Sequence, residues 1–486
     1  MNSLALSVAL VSAMLGAESV NRPNIVWIIV DDMSTNFSCY GEKTIRTPHV
    51  DDLAAQGTRF AKAFVTAPVC SPCRSALITG CYQTTIGAHN HRSGRGEIKI
   101  NLPGQVVPAP VLFRQAGYYT CIGGFGASGK RLGKTDHNFE WPKEMYDSND
   151  WAGRKPNQPF FMQVQLHGGK YRGQGPSKAW QNRVRQEFGA NTSPESVVLP
   201  PYYPRDPVIL KDWADYLDCC RQTDKEVGDV MARLKKEQLL DNTIVFFMTD
   251  HGISHARGKQ FLYDEGTHVP LVVSGPGVPK GSVRSDLVEH IDLAATSLSL
   301  AGIGVPAWMQ GRDILAGNYQ KRDAVFAARD RCDETMEHLR SVRTERYKYI
   351  RNYMPFRPHL QPCRYKDEKV IVQKLRELHA AGTLEPIAEK LLFAQRRAEE
   401  ELYDLQNDPF EVNNLANDPL LKETLISMRK RLADWEERTV DKGRQPESMA
   451  MYDSDMKEYL STGGKAVIDD LKRNIDLNKK WVAEGK

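Results

Sequence analysis

Two metal-ligand-type steps stand out in this chain of 486 residues, the acidic pair Asp31-Asp32 and Asp250-His251. Adjacent carboxylates repel each other, and removing both from water is costly unless a cation sits between them. Oxygen-rich ligation of that kind suits a hard divalent cation, Ca²⁺ or Mg²⁺, and Asp250 would add a third carboxylate. Either acidic step alone could simply cap a loop or a helix; the two together point to a metal. Cys70 opens a further group, Cys70-Ser71-Pro72-Cys73-Arg74. Pro72 at a helix start leaves unpaired N–H groups at that end, and Arg74 one turn in adds a fixed cation. Such a place suits a tetrahedral oxyanion, sulfate or phosphate, beside a reactive cysteine; the competing reading is a plain buried thiol.

The elements that must position these residues are legible as alternating strands and helices. Asn24 to Val30 (NIVWIIV) is a continuous β-rich apolar run, as a strand buried on both faces would be, and it ends at Asp31. A helix follows, with Thr47 as N-cap, Pro48 in the first turn and Gly57 as the stop. Phe60 to Val65 predicts another strand, and Pro72 to Thr79 a helix beginning just after Cys70. Phe160 to Leu166 ends at His167 and Thr243 to Met248 ends near Asp250, with a long amphipathic helix over Val208 to Lys236 between them. Val269 to Ser274 and a helix over Ser285 to Leu300 continue the alternation. This pattern predicts an α/β fold with a largely parallel sheet covered on both faces, in which ligands bind at the carboxyl ends of the strands. Three such ends carry Asp31-Asp32, His167 and Asp250-His251. After about residue 317 the chain turns to Arg- and Tyr-rich segments and charged helices, including Pro386 to Glu401 and Leu421 to Glu437, read as a smaller C-terminal unit.

Cys70-x-Pro72-x-Arg74 followed by Ser75-Ala76-Leu77-Ile78-Thr79-Gly80 resembles the signature of the type I sulfatases. Arg22-Pro23-Asn24-Ile25-Val26 leading into Asp31-Asp32-Met33 resembles that family's opening strand and metal pair. Gly258-Lys259 with Tyr263-Asp264-Glu265-Gly266-Thr267-His268-Val269-Pro270 resembles its later sulfate-binding loop. Leu402-Tyr403-Asp404-Leu405, Asp408-Pro409, Glu411 and Asn414-Leu415 resemble its C-terminal signature. The resemblance implies an alkaline-phosphatase-like sandwich, a large mixed, mostly parallel sheet between helices, plus a smaller C-terminal α+β subdomain. It also implies oxidation of Cys70 by a maturation enzyme to formylglycine (3-oxoalanine), whose hydrated aldehyde is the nucleophile. Asp31, Asp32, Asp250 and His251 would hold Ca²⁺ together with a residue-70 oxygen; the last ligand is often Asn in the family, and His also occurs. Arg74 would orient the hydrate, Lys259 would hold sulfate oxygens, and His167 would protonate the leaving alcohol.

One region departs from the family pattern. Relatives carry Gly-Lys-x-His after a Gly-Tyr-x-Thr strand, whereas here Gly117-Tyr118-Tyr119-Thr120 leads to Gly133-Lys134-Thr135-Asp136-His137. Lys134 matches the sulfate-binding lysine, with Lys130 as a rival, and Asp136 stands in the histidine's place. Asp136 could serve as the base that deprotonates the hydrate, His137 could substitute, or the step could differ.

Between Arg340 and Lys366 there are eight Lys or Arg residues and one acidic residue, with Tyr347, Tyr349, Tyr353 and Phe356 interleaved. The stretch is either a solvated basic face or a wall that grips anionic sugars. Resemblance to heparan N-sulfatase-like and marine-polysaccharide sulfatases favours the latter, and with it His89, His91, Arg92, Arg351 and Arg357 as substrate-binding residues for a sulfated carbohydrate. A phosphomonoester or phosphodiester hydrolase of the same superfamily, or an unmodified glycan-binding protein, are the alternatives. Lys plus Arg is 65 against 61 for Asp plus Glu, a net charge of +4 that gives no footprint of nucleic-acid binding. Within residues 1–17, Leu4 to Leu15 is an apolar run of signal-peptide length closed by Leu15-Gly16-Ala17, too short to span a bilayer. The expectation is an exported protein, periplasmic or secreted and without stable membrane insertion, with a catalytic unit over 18–320 and a C-terminal unit over 321–486. The nine cysteines fit no compact disulfide or zinc framework, and conversion of Cys70 would leave eight.

Overall fold

The computed structural model describes residues 22–462 and 465–486, so the expected signal segment lies outside the described residues. Strands β1 (Asn24–Val30), β2 (Gly57–Phe64), β3 (Tyr119–Gly124), β4 (Phe160–Leu166), β5 (Thr243–Thr249), β6 (His268–Ser274), β7 (Ser282–Arg284) and β8 (Val288–Glu289) form one sheet. Their order is β3-β4-β1-β5-β6-β2-β7, with β8 also paired to β2. β3, β4, β1 and β5 run parallel, and β6 runs against both β5 and β2. Every residue of β1, β4 and β5 is buried, which is why β1 and β5 read as near-continuous apolar runs and β4 is interrupted only by Gln163 and Gln165.

Period-2 side-chain alternation splits β1 between two cores. Val26, Ile28 and Val30 face a layer containing the helices Pro48–Ala55 and Pro207–Lys236, while Ile25, Trp27 and Ile29 face the helices Cys70–Thr79, Ala109–Gln115 and Asp292–Leu300. The long helix starts where expected, with the Asp206 side chain accepting from the Val208 N–H at 2.8 Å. Three expected boundaries move. The Cys70–Thr79 helix opens on Cys70 itself, two residues before Pro72. The helix expected over 285–300 is Asp292–Leu300, because Val288–Glu289 takes ladder bonds beside β2 instead. The helix expected over 386–401 stops at Leu392, and Glu400–Asp404 becomes a strand.

That strand, β12, closes a separate antiparallel sheet of β9 (Val325–Arg329), β10 (Leu339–Arg343), β11 (Tyr347–Asn352) and β12, in the order β12-β11-β10-β9. The helix Lys422–Arg438 covers it, with Trp435 stacked on Phe326 at 5.1 Å and edge-on to Tyr82 at 5.2 Å. Ala76 of the Cys70 helix belongs to the same apolar cluster, so the small sheet is packed directly behind that helix. No described helix is long and apolar enough to cross a membrane.

Trp27 is fully buried, lies edge-on to Phe161 at 4.9 Å and donates from Nε1 to Ser297 Oγ at 2.9 Å. Trp27→Ala is expected to lower stability by about 3–5 kcal/mol, read as a lower urea midpoint, with Trp27→Phe losing less. Equal midpoints for wild type and Trp27→Ala would contradict the close packing described for this face.

Candidate active site

The register of the three central strands fixes where the acidic groups emerge. Val30 pairs with Leu166 on one side and Thr249 on the other, so Asp31, His167 and Asp250 leave the sheet at one level. The Asp31 N–H donates to Leu166 O at 3.3 Å and the Asp250 N–H to Val30 O at 2.8 Å, which holds both exits tight. Gly168, in the left-handed region at φ +56°, permits the close approach: a Cβ there would lie 2.0 Å from Asp31 O. Because β6 is antiparallel to β5, the loop joining them returns to this same edge and delivers Lys259. Gly258 before it has no room for a Cβ, which would fall 2.0 Å from Ile253 O.

Cys70 Sγ lies 3.1 Å from Lys259 Nζ, 3.2 Å from His251 Nε2, 3.6 Å from Asp31 Oδ1 and 3.9 Å from Lys170 Nζ. Arg74, one turn along the helix, sets its guanidinium 2.9 Å from Asp250 Oδ2 and 3.4 Å from Asp31 Oδ2 and donates to Gln165. Lys134 Nζ reaches Asp31 Oδ2 at 2.9 Å, and Lys170 Nζ reaches Asp31 Oδ1 at 2.7 Å. Lys259 Nζ donates to Asp32 Oδ1 at 2.9 Å, and the Tyr365 hydroxyl donates to Asp32 Oδ2 at 2.9 Å. Four cationic side chains, Arg74, Lys134, Lys170 and Lys259, thus face the three buried carboxylates Asp31, Asp32 and Asp250.

Burial alone would push these acids towards the neutral form, and the outcome differs among them. Asp31 is nonetheless held well below the carboxylate range by Lys134, Lys170 and Arg74, and Asp32 by Lys259 and Lys170. Asp250 is pushed up to about 6 by burial and by the Asp31 charge beside it. The Cys70 thiol, which burial would raise, is carried well below its usual value by Lys134, Lys170 and Lys259. Donor atoms of Asp31, Cys70, Asp250 and His251 all lie within 4.8 Å of one another and are buried. A dry cluster of carboxylates with one imidazole and residue 70 fits a hard divalent cation.

Cys70 and Lys259 form the floor of a cavity of about 710 Å³, lined also by His91, Arg92, Arg95, Phe125, Arg131, Lys134, Asp136, Trp141, Lys170, Asp333 and Tyr365. Asp136, at φ +53°, lies 3.3 Å from Lys134 Nζ and accepts from Arg95. Lys134, rather than Lys130, reaches Asp31. His137 lines the cavity, but its ring is stacked against Phe139 with both nitrogens unpartnered, and burial pushes it down to about 3. His167 is half-buried between Phe125 (3.9 Å) and Tyr171 (4.9 Å), and burial lowers its pKa.

Of the five residues expected to bind sugar, His91 and Arg92 line this cavity and three do not. His89 faces Arg340 and Asp441, and burial depresses it to about 4. Arg351 lies in a separate surface depression beside Glu400, 3.6 Å away. Arg357 is buried and spends its guanidinium on Met336 O, Asn478 Oδ1 and Lys486 O. The basic run 340–366 is thus neither a solvated face nor a sugar wall along most of its length. Arg340 pairs internally with Asp441 at 2.6 Å and Lys348 with Glu411 at 2.8 Å, and Tyr365 alone of its aromatics reaches the floor. Sequence reasoning missed Lys170, Tyr365, Gln165, Arg95 and Asp333. Gln165 carried a signal, a polar residue inside the apolar run of β4; Lys170 follows His167 by three residues; Tyr365 had no local signature. All nine cysteines are unpaired.

A sulfatase family model matches residues 23–150 and 133–303, and a model described as N-sulphoglucosamine sulphohydrolase, C-terminal, matches residues 251–359. An ulvan-active sulfatase of Formosa agariphila is 31% identical over 88% of this chain and 77% of its own length. Human N-sulphoglucosamine sulphohydrolase is 28% identical over 88% of this chain and 92% of its own. Among solved structures, BT1596, a 2-O GAG sulfatase, shares the fold with a TM-score of 0.61 at 21% identity, covering 89% of this chain and 96% of that one. With the signature cysteine seated at the mouth of this buried acidic cluster and the family model running across both halves of the sheet, the chain belongs to the sulfatase family, enzymes that hydrolyse sulfuric esters.

Proposed function

We propose that this protein releases inorganic sulfate from a sulfated carbohydrate, with residue 70 acting in its formylglycine form. The observation that carries the reading is the position of Cys70, within 4 Å of Lys259, His251, Asp31 and Lys170 at the floor of a cavity rimmed by Arg92, Arg95 and Arg131. Asp31, Asp32, Asp250 and His251 would hold Ca²⁺ rather than Mg²⁺, which would supply Lewis-acid polarisation of the sulfuryl group, and residue 70, once oxidised, would supply the hydrated aldehyde as nucleophile.

The protein's own residues do the rest. Arg74, tied to both Asp31 and Asp250, orients residue 70. Lys134, Lys170 and Lys259 hold sulfuryl oxygens and neutralise charge as it builds, in a site where low dielectric makes each contact count. His167 donates a proton to the departing alcohol oxygen. Asp136 holds Lys134 and Arg95 in place. Around this floor, Arg92 and Arg95 are partly exposed and Phe125, Trp141 and Tyr365 offer apolar ring faces, a combination suited to a sugar carrying further anionic groups. The ulvan and N-sulfoglucosamine substrates named for two relatives agree with that chemistry. We further read residues 1–17 as an export signal, 18–320 as the catalytic unit and 321–486 as the C-terminal unit, with a maturation enzyme acting on Cys70.

Protein coexpressed with a maturation enzyme should yield a Cys70 peptide bearing an aldehyde in mass spectrometry and should release sulfate from members of a defined sulfated-oligosaccharide panel. Cys70→Ala is expected to abolish release, and Lys170→Ala to lower kcat/KM by about 10²–10³-fold. Release of phosphate but not sulfate from matched esters would overturn the reading.

Chelation gives a second test. A cation held by the three buried carboxylates would be withdrawn by EGTA, so the melting temperature should fall and recover on adding Ca²⁺, the ion adding about 2.7 kcal/mol to the unfolding free energy at a hundredfold excess over Kd. An unchanged melting curve with and without chelator would exclude a metal at this cluster.

A further inference from the structure

The family histidine that follows the sulfate-binding lysine is replaced here by Asp136, whose carboxylate is committed to Lys134 and Arg95. His137 next to it is stacked on Phe139, both ring nitrogens buried without a partner. An Asp136 oxygen does come within 4.8 Å of Cys70 Sγ, but that carboxylate is already engaged by two cations. A different histidine is better placed to accept a proton from residue 70. His91 is nearly buried, lines the cavity, and brings a ring nitrogen within 4.8 Å of both Cys70 Sγ and an Asp136 oxygen.

Its orientation is fixed from behind. His91 Nδ1 lies 3.2 Å from Asp333 Oδ1 and 3.6 Å from Cys332 Sγ, and Nε2 makes no hydrogen bond to a described residue. Asp333 is buried, and although burial alone would raise it, His91 and Arg92 hold it well below the carboxylate range; its Oδ1 has no hydrogen-bond partner among the described residues, which leaves it open to His91 Nδ1 and the Arg92 guanidinium, its two close contacts. The backbone on both sides is pinned. The His91 N–H donates to Arg331 O at 2.8 Å, the Arg331 N–H to Asn90 Oδ1 at 3.0 Å, and the Arg92 N–H to Ser71 Oγ at 2.9 Å. Arg331 is in turn clamped by Glu447 and Asp455, at 2.6 and 2.7 Å. Asp333 and His91 are therefore held in one frame that is bonded to the residue following Cys70.

Resting on the sulfatase reading, we propose that His91 is the proton acceptor for residue 70 and that Asp333 is the positioning residue that sets its tautomer. A carboxylate receiving Nδ1–H leaves the Nε2 lone pair free. Nε2 then bonds to the proton of a hydroxyl borne by residue 70, the O–H bond breaks with its electron pair staying on oxygen, and the imidazolium is balanced by Asp333. The device assigns a catalytic duty to a residue whose neighbour Arg92 serves the substrate.

The test uses the full chain in two forms. In the unmatured Cys70 protein with labelled histidine, two-bond ¹H–¹⁵N correlations should show His91 protonated on Nδ1 alone, and Asp333→Asn should shift it to Nε2–H or a mixture. In the matured protein, Asp333→Asn and His91→Gln should each lower kcat by about 10²–10³-fold on whichever sulfated oligosaccharide the wild type turns over, with KM changed less than about threefold. A variant that raises KM and spares kcat would make His91 a sugar-binding residue and overturn the proposal, as would an Nε2–H tautomer in the wild type. Sulfate release by none of the panel members would count against the sulfatase reading instead, and the tautomer measurement, which needs no turnover, would still decide the His91–Asp333 arrangement.

Discussion

Three carboxylates, Asp31, Asp32 and Asp250, are buried at the carboxyl edge of a sheet whose central strands are wholly dry. Isolated charges in such a place are prohibitively expensive, and the surrounding structure is organised to meet that cost. Arg74 comes from the Cys70 helix, Lys134 from the segment after β3, Lys170 from the turn after β4, and Lys259 from the loop between β5 and β6. Each is delivered by a different chain segment, so the cluster can form only when the sheet has closed in the correct order.

The same charges define the chemistry. With the Cys70 thiolate counted, the four cations match four anions, and a divalent ion would turn that balance into a positive surplus. The pocket is therefore poised for an anion that is itself multiply coordinated, and it gathers developing charge on preorganised donors rather than on solvent. Cys70 at the first position of its helix sits where the helix end and three ammonium groups act together, which explains the strong bias of its thiol towards the ionised form.

The C-terminal part of the chain acts on this site mainly from behind. The four-stranded sheet and the helix Lys422–Arg438 pack on the Cys70 helix through Ala76, Tyr82 and Trp435. The Asp330–Asp333 segment after β9 brings Asp333 to the cavity, and its Arg331 is anchored by Glu447 and Asp455 near the C-terminal helices. Tyr365 alone from the basic 340–366 stretch contacts the acidic cluster, while Arg340, Lys348 and Arg357 stabilise the interior of this unit.

The sequence by itself determined the elements and the chemistry of their ends. Largely apolar runs set β1, β4 and β5, and the polar residues that terminate them, Asp31, His167 and Asp250, were readable because strand ends are where a buried run must meet something polar. The Cys70 to Gly80 motif was readable because its spacing encodes a helix start and an oxyanion site within one local segment. What lay outside sequence reasoning was contact at long range. Nothing near Tyr365 marks it as a partner of Asp32, 333 residues away, nor Asp333 as the acceptor behind His91. Composition misled at Arg351 and Arg357, since a run of arginines looks the same whether it faces solvent or internal carbonyls. Those pairings depend on strand register and on which buried charges are left to be neutralised once the two sheets have packed, and only the tertiary structure settles that.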